Sequence, residues 1–184
     1  MKRNTTLIGI VSLLLLLMLS ACGSDTQDKK SDQTMNMDDT HTHSESSEIP
    51  EGLTAAQHPT YKVGSQAIIK ADHMKGMKGA EATITGAYDT TAYAVSYTPT
   101  TGGTRVENHK WVIQEEIKNA SDETLKPGTD VIIEADHMKG MKGATGKIDS
   151  AEKTTVYTVD YTPTTGGEKV KNHKWVTESE LSSK

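Results

Sequence analysis

The sequence has no phenylalanine and only one cysteine among its 184 residues. A single cysteine excludes a disulfide framework and a multi-thiolate metal site. Two tryptophans and six tyrosines are the whole aromatic content, so a folded core must rest on Ile, Val, Tyr and Trp. Lys and Arg number 20 against 25 carboxylates. We therefore expect no nucleic acid partner, because such binding needs a concentrated basic face.

The first 21 residues have the pattern of a signal peptide. Lys2 and Arg3 precede an apolar run that includes the leucines 13–17, as in secretory n- and h-regions. Small residues then precede Cys22 and resemble a bacterial lipobox, which implies cleavage before Cys22 and attachment of lipid to it. An uncleaved transmembrane anchor is the alternative, but the run is shorter than the ~20 residues of a membrane span. We expect lipid anchoring on the extracytoplasmic face of the cell membrane.

Residues 22–57 are predicted to form a disordered tether. Large apolar side chains are scarce there, so burial cannot offset the entropy of ordering. The tether contains two closely spaced pairs of side chains that bind soft metals: Met35, Met37, His41 and His43. They are either ordinary linker residues or a weak metal site.

Two copies of one ten-residue segment organise the rest of the chain. Residues 71–80 read Ala-Asp-His-Met-Lys-Gly-Met-Lys-Gly-Ala and recur letter for letter at 135–144; we call these segments the His loops. The surrounding sequence aligns at the same offset of 64 residues without a gap. The pattern predicts two repeats, 58–120 and 121–184, each forming one small domain.

Each repeat is predicted to be all-β. Period-two alternation and turn residues suggest five short strands in the first repeat, near residues 63–70, 81–88, 93–97, 104–106 and 108–113. Five short strands in about 60 residues resemble an SH3-like or KOW-like barrel. The expected fold is therefore two tandem small barrels. In such barrels the first and last strands pair, so we expect the loop at His73 to lie close to His109.

The His loops carry the candidate metal site. Thioether sulfur with imidazole suits Cu(I), whereas zinc prefers thiolate, imidazole or carboxylate, and calcium prefers clustered oxygens. The predicted ligands share this soft character and belong to both repeats: His73, Met74, Met77, His109, His137, Met138, Met141 and His173. The alternatives are a glycine-rich loop with incidental methionines, and core or loop histidines at 109 and 173.

Three further side chains are assigned around these ligands. Trp111 and Trp175 follow His109 and His173 by two residues, on the same face of a predicted strand. They either cap a bound monovalent ion through the ring face or pack in the core. Asp72 is expected to bond the loop backbone or to orient His73.

Three segments of the chain resemble the YdhK family of bacterial lipoproteins: the His loop, residues 97–103 (Tyr-Thr-Pro-Thr-Thr-Gly-Gly) and residues 108–112 (Asn-His-Lys-Trp-Val). The resemblance covers the lipobox and both repeats. Members include the staphylococcal copper-resistance lipoprotein CopL. The resemblance therefore implies an extracytoplasmic copper-binding protein that limits copper entry or toxicity.

We expect a monomeric lipoprotein that sequesters Cu(I), with one site per barrel and no catalytic activity. A copper transporter or an oxidase is a possible recipient of the ion. The alternative is a module that binds cell-wall polymer or peptide, with Tyr93, Tyr97 and residues 98–103 lining a groove. That alternative rests on fold analogy alone. A third reading is a purely structural spacer.

Overall fold

Long β-strands dominate the computed structural model, which describes residues 48–184. The predicted signal peptide, Cys22, and the tether residues Met35, Met37, His41 and His43 lie outside the described residues. The eight strands of the described part are, in chain order, β1 (Thr54–Ala55), β2 (Gln66–Ile69), β3 (Glu81–Tyr97), β4 (Val106–Ile113), β5 (Asp130–Ile132), β6 (Thr145–Tyr161), β7 (Val170–Thr177) and β8 (Leu181–Ser183). Short 3₁₀ helices, Gln114–Glu116 and Glu178–Glu180, follow β4 and β7. The all-β prediction is confirmed.

The strands are longer and fewer than the sequence pattern predicted. The two strands expected at 81–88 and 93–97 are one continuous strand, β3, and those expected at 104–106 and 108–113 are replaced by β4. The five-strand prediction is wrong because the chain makes no turn at residues 89–92, Asp-Thr-Thr-Ala. None of these residues has a positive φ. Threonines there have high β-propensity, and a partner strand continues along this stretch.

That partner is β6, which belongs to the other repeat. β3 and β6 pair antiparallel over their whole length, from Ala82 opposite Tyr161 to Tyr97 opposite Gly146. The register maps onto itself when the repeats are exchanged, and Thr90 lies opposite its own counterpart Thr154. The two repeats are therefore related by a local two-fold arrangement, and they share one sheet in which the central strands run β5-β6-β3-β2-β8.

The outer strands also cross between repeats. β2 of the first repeat pairs antiparallel with β8 at the end of the second, with Ile69 opposite Leu181. The equivalent contact in the other half is a bridge between Ile117 and Ile133. We expected each repeat to pair its own first and last strands, and that prediction is wrong. The two separate barrels are replaced by strand exchange, and the SH3-like or KOW-like classification stays a prediction.

Strand exchange gives two mixed cores. The first combines the buried face of β2 and β3, including Ile69 and Ile84, with Tyr157, Tyr161 and Leu181 of the second repeat. The second core repeats this arrangement with the roles of the repeats reversed. Burial of each large side chain contributes about 1.5–3 kcal/mol. Because each core draws on both repeats, neither repeat encloses a complete core by itself.

The two tryptophans lie in a third cluster between these cores. Trp111 and Trp175 pack there with Ala92, Ile113 and Val156. Their exposed fractions are 5% and 0%, which agrees with the core alternative for both side chains. The peptide bonds that precede them, Lys110–Trp111 and Lys174–Trp175, are both cis.

The end of the predicted tether belongs to the folded body. β1 pairs with β3, placing Thr54 opposite Asp89, and Ile49 and Leu53 pack against the tryptophan cluster. The folded part therefore begins before residue 57, the predicted end of the tether, because Ile49 and Leu53 pack against apolar side chains of the sheet. No helix within residues 48–184 is long and apolar enough to cross a membrane.

Candidate metal site

Each His loop is closed by backbone hydrogen bonds onto the strand before it. In the first loop the amide of Gly79 donates to the Ile69 carbonyl at 2.8 Å, and the amide of Met77 donates to the Met74 carbonyl at 3.1 Å. Gly76 and Gly79 have positive φ, at 79° and 80°, a conformation that other residues adopt only under strain. The glycines thus allow the tight turn, and the second loop has the same bonds.

Residues 98–103 and 162–167, which we call the Thr-Pro loops, each pack on the His loop of the other repeat. The amide of Thr164 donates to the Gly76 carbonyl at 2.8 Å, and the amide of Thr100 donates to the Gly140 carbonyl at 2.9 Å. A Cβ at Gly76 would lie 2.5 Å from Thr165 Oγ1. The Thr-Pro loops therefore hold the His loops in place.

A carboxylate from the second repeat binds the first histidine. His73 Nε2 lies 2.7 Å from Glu180 Oε1, and the indole N–H of Trp111 donates to Glu180 Oε2 at 2.8 Å. The amide of Thr177 donates to the same Glu180 oxygen at 3.1 Å. Glu180 comes from the 3₁₀ helix after β7, whereas His73 and Trp111 belong to the first repeat. The site is thus assembled from both repeats.

The second histidine has the reciprocal arrangement. His137 Nε2 lies 2.8 Å from Glu116 Oε1, and Trp175 Nε1 donates to Glu116 Oε2 at 3.0 Å. The Ile113 amide adds a bond to Glu116 Oε2 at 3.2 Å. This copy is the more deeply buried one, with side-chain exposures of 8% for His137 and 6% for Glu116, against 12% for His73 and 14% for Glu180.

Both carboxylates stay ionised at neutral pH. Burial by itself would raise the pKa of Glu116, but the charge and hydrogen bond of His137, the Trp175 N–H and the Ile113 amide together lower it below its ordinary value. Burial likewise opposes ionisation of Glu180, and the hydrogen bond and charge of His73 with two further donors lower its pKa. Each glutamate is therefore a hydrogen-bond acceptor only.

This chemistry fixes the tautomer of both histidines. Because an ionised carboxylate can only accept, Nε2 of His73 and of His137 carries the proton. In the neutral ring the lone pair then belongs to Nδ1. Nδ1 of both histidines is buried and has no hydrogen-bond partner among residues 48–184. A histidine held by a carboxylate at one nitrogen, with a bare second nitrogen, is the usual arrangement of a metal ligand.

The sulfur next to each of these histidines contacts a tyrosine of the other repeat. The hydroxyl of Tyr161 donates to the Met74 sulfur at 3.5 Å, and the hydroxyl of Tyr97 lies 4.0 Å from the Met138 sulfur. Both methionines are partly buried. Burial alone raises the pKa of both phenols, so both hydroxyls stay protonated at neutral pH.

The same tyrosines also contact the remaining two histidines. The ring centres of Tyr161 and His173 are 5.9 Å apart, and those of Tyr97 and His109 are 6.1 Å apart, both edge-on. The ring of His109 lies 6.4 Å from that of His137. His109 and His73 line the same cleft, and their pairing as ligands of one ion stays a prediction. His109 lies beside the His loop of the other repeat because the strands are exchanged.

The predicted ligands are therefore grouped across the repeats and not within them. One group comprises His137 and Met138 with His109, and the repeat symmetry together with Tyr161 places His73 and Met74 with His173. Imidazole nitrogens bind transition metals at about 2.0–2.1 Å, so two rings on opposite sides of one ion have centres roughly 6 Å apart. The separation of His109 and His137 matches this value.

Met77 and Met141 have a different environment. Both are 0% exposed, and they pack within the first and second core, respectively. Their assignment as metal ligands stays a prediction. In the structure both side chains pack against other apolar side chains of the cores. The ring of Trp111 meets His73 edge-on, with centres 6.4 Å apart, and capping of an ion by either tryptophan likewise stays a prediction.

Asp72 and the expected wall-binding groove are placed differently from the prediction. Asp72 is exposed, and Glu180 takes the orienting role that we expected of it. Tyr93 and Tyr97 are both 0% exposed, and residues 98–103 contact a His loop. The two tyrosine rings therefore do not line a groove on the surface, whereas most of residues 98–103 are exposed and their part in binding cell-wall polymer or peptide stays a prediction.

A cleft of about 680 Å³ connects the two copies. All four histidines line it, together with Met138, Glu180, Lys110 and Lys174. Within the described part of the chain, no group of three or more His, Cys, Asp or Glu side chains is arranged to hold a metal ion.

Glu116 and Glu180 are residues of the candidate site that the sequence analysis missed. Glu116 lies 21 residues and Glu180 lies 107 residues from the histidine it binds, and no local motif marks either of them. One signal was available: both occupy the same position in the two repeats, although the residues around them differ (Gln114 and Glu115 against Glu178 and Ser179).

Comparison with known proteins gives a family but no activity. Residues 63–114 and 127–178 each match the model of a protein family of unknown function, DUF1541. The uncharacterized protein YdhK of Bacillus subtilis (strain 168) is 65% identical over 189 residues, which cover 100% of this chain and 92% of that protein. Both repeats and the N-terminal region therefore have a counterpart in this relative.

Solved structures of the same Bacillus subtilis protein are also similar. A crystal structure of YdhK superposes with a TM-score of 0.73 at 76% identity, covering 74% of this chain and 93% of that chain. A solution NMR structure of the YdhK C-terminal domain gives a TM-score of 0.64 at 80% identity, covering 67% of this chain and 93% of that chain.

Proposed function

The chain belongs to the DUF1541 family, and we propose that it is a lipid-anchored extracytoplasmic protein that binds Cu(I) and limits copper toxicity. The observation that carries the proposal is the burial of two imidazole nitrogens that have no hydrogen-bond partner in the described part of the chain. Nδ1 of His73 and Nδ1 of His137 are buried, lack a hydrogen-bond partner among residues 48–184, and are held in place by an ionised glutamate on the opposite side of the ring.

The neighbouring donors favour copper over other metals. Each of these histidines is followed by a methionine whose sulfur lies near the same cluster, and thioether sulfur is a ligand that selects Cu(I). Zinc and calcium sites need more nitrogen, thiolate or oxygen donors than this arrangement offers. In this proposal His137, Met138 and His109 form one ligand group, and His73, Met74 and His173 form the other.

The protein part of the site supplies orientation rather than catalysis. Glu116 and Glu180 keep the histidines in the tautomer that leaves Nδ1 open, and the tryptophan N–H groups keep each glutamate in place. The Thr-Pro loops fix the backbone of each His loop. No nucleophile with an adjacent base is apparent in this proposal, and we propose a binding protein, not an enzyme, that passes copper to a transporter or an oxidase or retains it.

The experiment is a competition of the mature chain, without lipid, against a Cu(I) chelator under anaerobic conditions. Met35, Met37, His41 and His43 are replaced by serine in every sample, so that only the folded part is measured. We expect two ions per chain. Retention of no copper would contradict the proposal, and so would unchanged affinity after His73→Ala and His137→Ala in the same chain.

Variants of the glutamates give a sharper second test. Glu180→Gln should weaken the site of His73, and Glu116→Gln should weaken the site of His137, by 10–100-fold in metal affinity. Glu115→Gln, next to Glu116 but bonded to Thr90, is the matched control. An equal loss of metal affinity in all three variants would show that it follows from removing any nearby carboxylate, and not from a change in the orientation of the histidines.

A further inference from the structure

Two lysines occupy equivalent positions at the cleft. Lys110 directly follows His109 in β4, and Lys174 directly follows His173 in β7; both line the cleft with the four histidines. Their ammonium groups lie over the tryptophan that follows, with Lys110 Nζ 5.0 Å from the ring centre of Trp111 and Lys174 Nζ 5.7 Å from that of Trp175.

These contacts fix each positive charge relative to a candidate ligand. Trp111 donates its N–H to Glu180, which binds His73, and Trp175 donates to Glu116, which binds His137. Cation–π contact is favourable over a tryptophan face. Lys174 also donates a hydrogen bond to the Glu48 carbonyl. Both ammonium groups are therefore positioned by the same network that orients the histidines.

A fixed cation repels a bound metal ion in proportion to the charge of that ion. A divalent ion is therefore penalised about twice as much as a monovalent one at the same position. Each lysine also offsets the negative charge of a neighbouring glutamate, as Lys174 does for Glu116, and that negative charge would otherwise attract a divalent ion about twice as strongly as a monovalent one. We propose that Lys110 and Lys174 determine the selectivity of the cleft for monovalent over divalent metal ions. This inference rests on the proposed copper sites.

The experiment compares Zn²⁺ and Cu(I) affinities of the full mature chain, with and without Lys110→Gln and Lys174→Gln. Glutamine removes the charge without adding a sulfur ligand. We expect the ratio of Zn²⁺ to Cu(I) affinity to rise on the order of tenfold per lysine. The reason is that loss of the ammonium group removes the additional repulsion that a divalent ion feels compared with a monovalent one. Lys→Arg at both positions keeps the charge and should leave the ratio unchanged.

Lys62→Gln is the control for a lost surface charge, because Lys62 is exposed and does not line the cleft. An unchanged ratio in the glutamine variants, or an equal change in the arginine variants, would overturn the selectivity role and leave copper binding intact. Absence of Cu(I) binding by the parent chain would instead overturn the proposed function. Glutamine variants that change only the free energy of unfolding, measured with urea in the absence of metal, would also contradict a role of the lysines in selectivity.

Discussion

His73 Nε2 lies 2.7 Å from Glu180 Oε1, although 107 residues separate the two in the chain. The same pairing recurs between His137 and Glu116, with the order of the repeats reversed. A duplicated sequence has thus produced two sites that each need both copies, and the following predictions test what depends on this exchange.

Removal of Glu116 should destabilise the fold more than removal of Glu180. Glu116→Ala leaves the N–H groups of His137 and Trp175 buried without an acceptor, at a cost of about 2–4 kcal/mol. Glu180→Ala should cost less, because the side chain of Glu180 is 14% exposed against 6% for Glu116. Urea unfolding of metal-free protein measures both free energies. Equal costs would show that the difference in burial has no energetic consequence.

The folded state should lose stability at acidic pH through both glutamates. Their pKa values are lowered by folding from the ordinary 4.5, so the stability they contribute is fully present above about pH 4.5 and is lost as the pH falls through the lower folded-state values. The free energy of unfolding, measured from neutral pH downward, should fall below pH 4.5. The Glu116→Gln and Glu180→Gln double variant should show a smaller fall over the same interval.

A single repeat should not fold as a monomer. Residues 58–120 alone lack β6 and β8, which complete the first core and pair with β3 and β2. Because the register of β3 and β6 maps onto itself, a second copy of the fragment can take the place of β6. We expect folded material only in a species of two copies, as measured by light scattering and circular dichroism. A folded monomer would contradict this expectation.

Gly76→Ala should be more harmful than Gly79→Ala. Both glycines have nearly the same positive φ, so the backbone strain of alanine is matched. A Cβ at Gly76 collides with Thr165, whereas nothing lies within 4 Å of a Cβ at Gly79. The difference in unfolding free energy between the two variants therefore measures the docking of the Thr-Pro loop. Identical losses would indicate that the strained turn alone matters.

The two methionines of a His loop should differ in their response to leucine. Met77→Leu conserves volume in a full core and should change stability by less than about 1.5 kcal/mol, with copper affinity unchanged. Met74→Leu removes a sulfur beside the open nitrogen of His73 and should weaken Cu(I) binding about tenfold or more. Chelator competition on both variants distinguishes them. Equal weakening would assign a metal role to Met77 as well.

Much of the local structure could be predicted from the sequence. The turn glycines, the alternation in residues 93–97 and the exact repeat of the His loops indicated β-strands joined by tight loops, since these features act over a few residues. Strand length could not be predicted for β3, because residues 89–92 are compatible with either a loop or a strand. A long partner strand decided the matter.

The sequence by itself determined the all-β class, the duplication and the chemical nature of the candidate ligands, His73 and Met74 with their second copies. Only the tertiary structure decided that His109 lies beside His137 and that Glu116 and Glu180 hold the histidines. The physical reason is that two nearly identical repeats offer identical strand edges, so pairing within a repeat and pairing between repeats satisfy the same local pattern. The choice between them depends on long-range packing, which buries Tyr97 and Tyr161 in cores that are shared by both repeats.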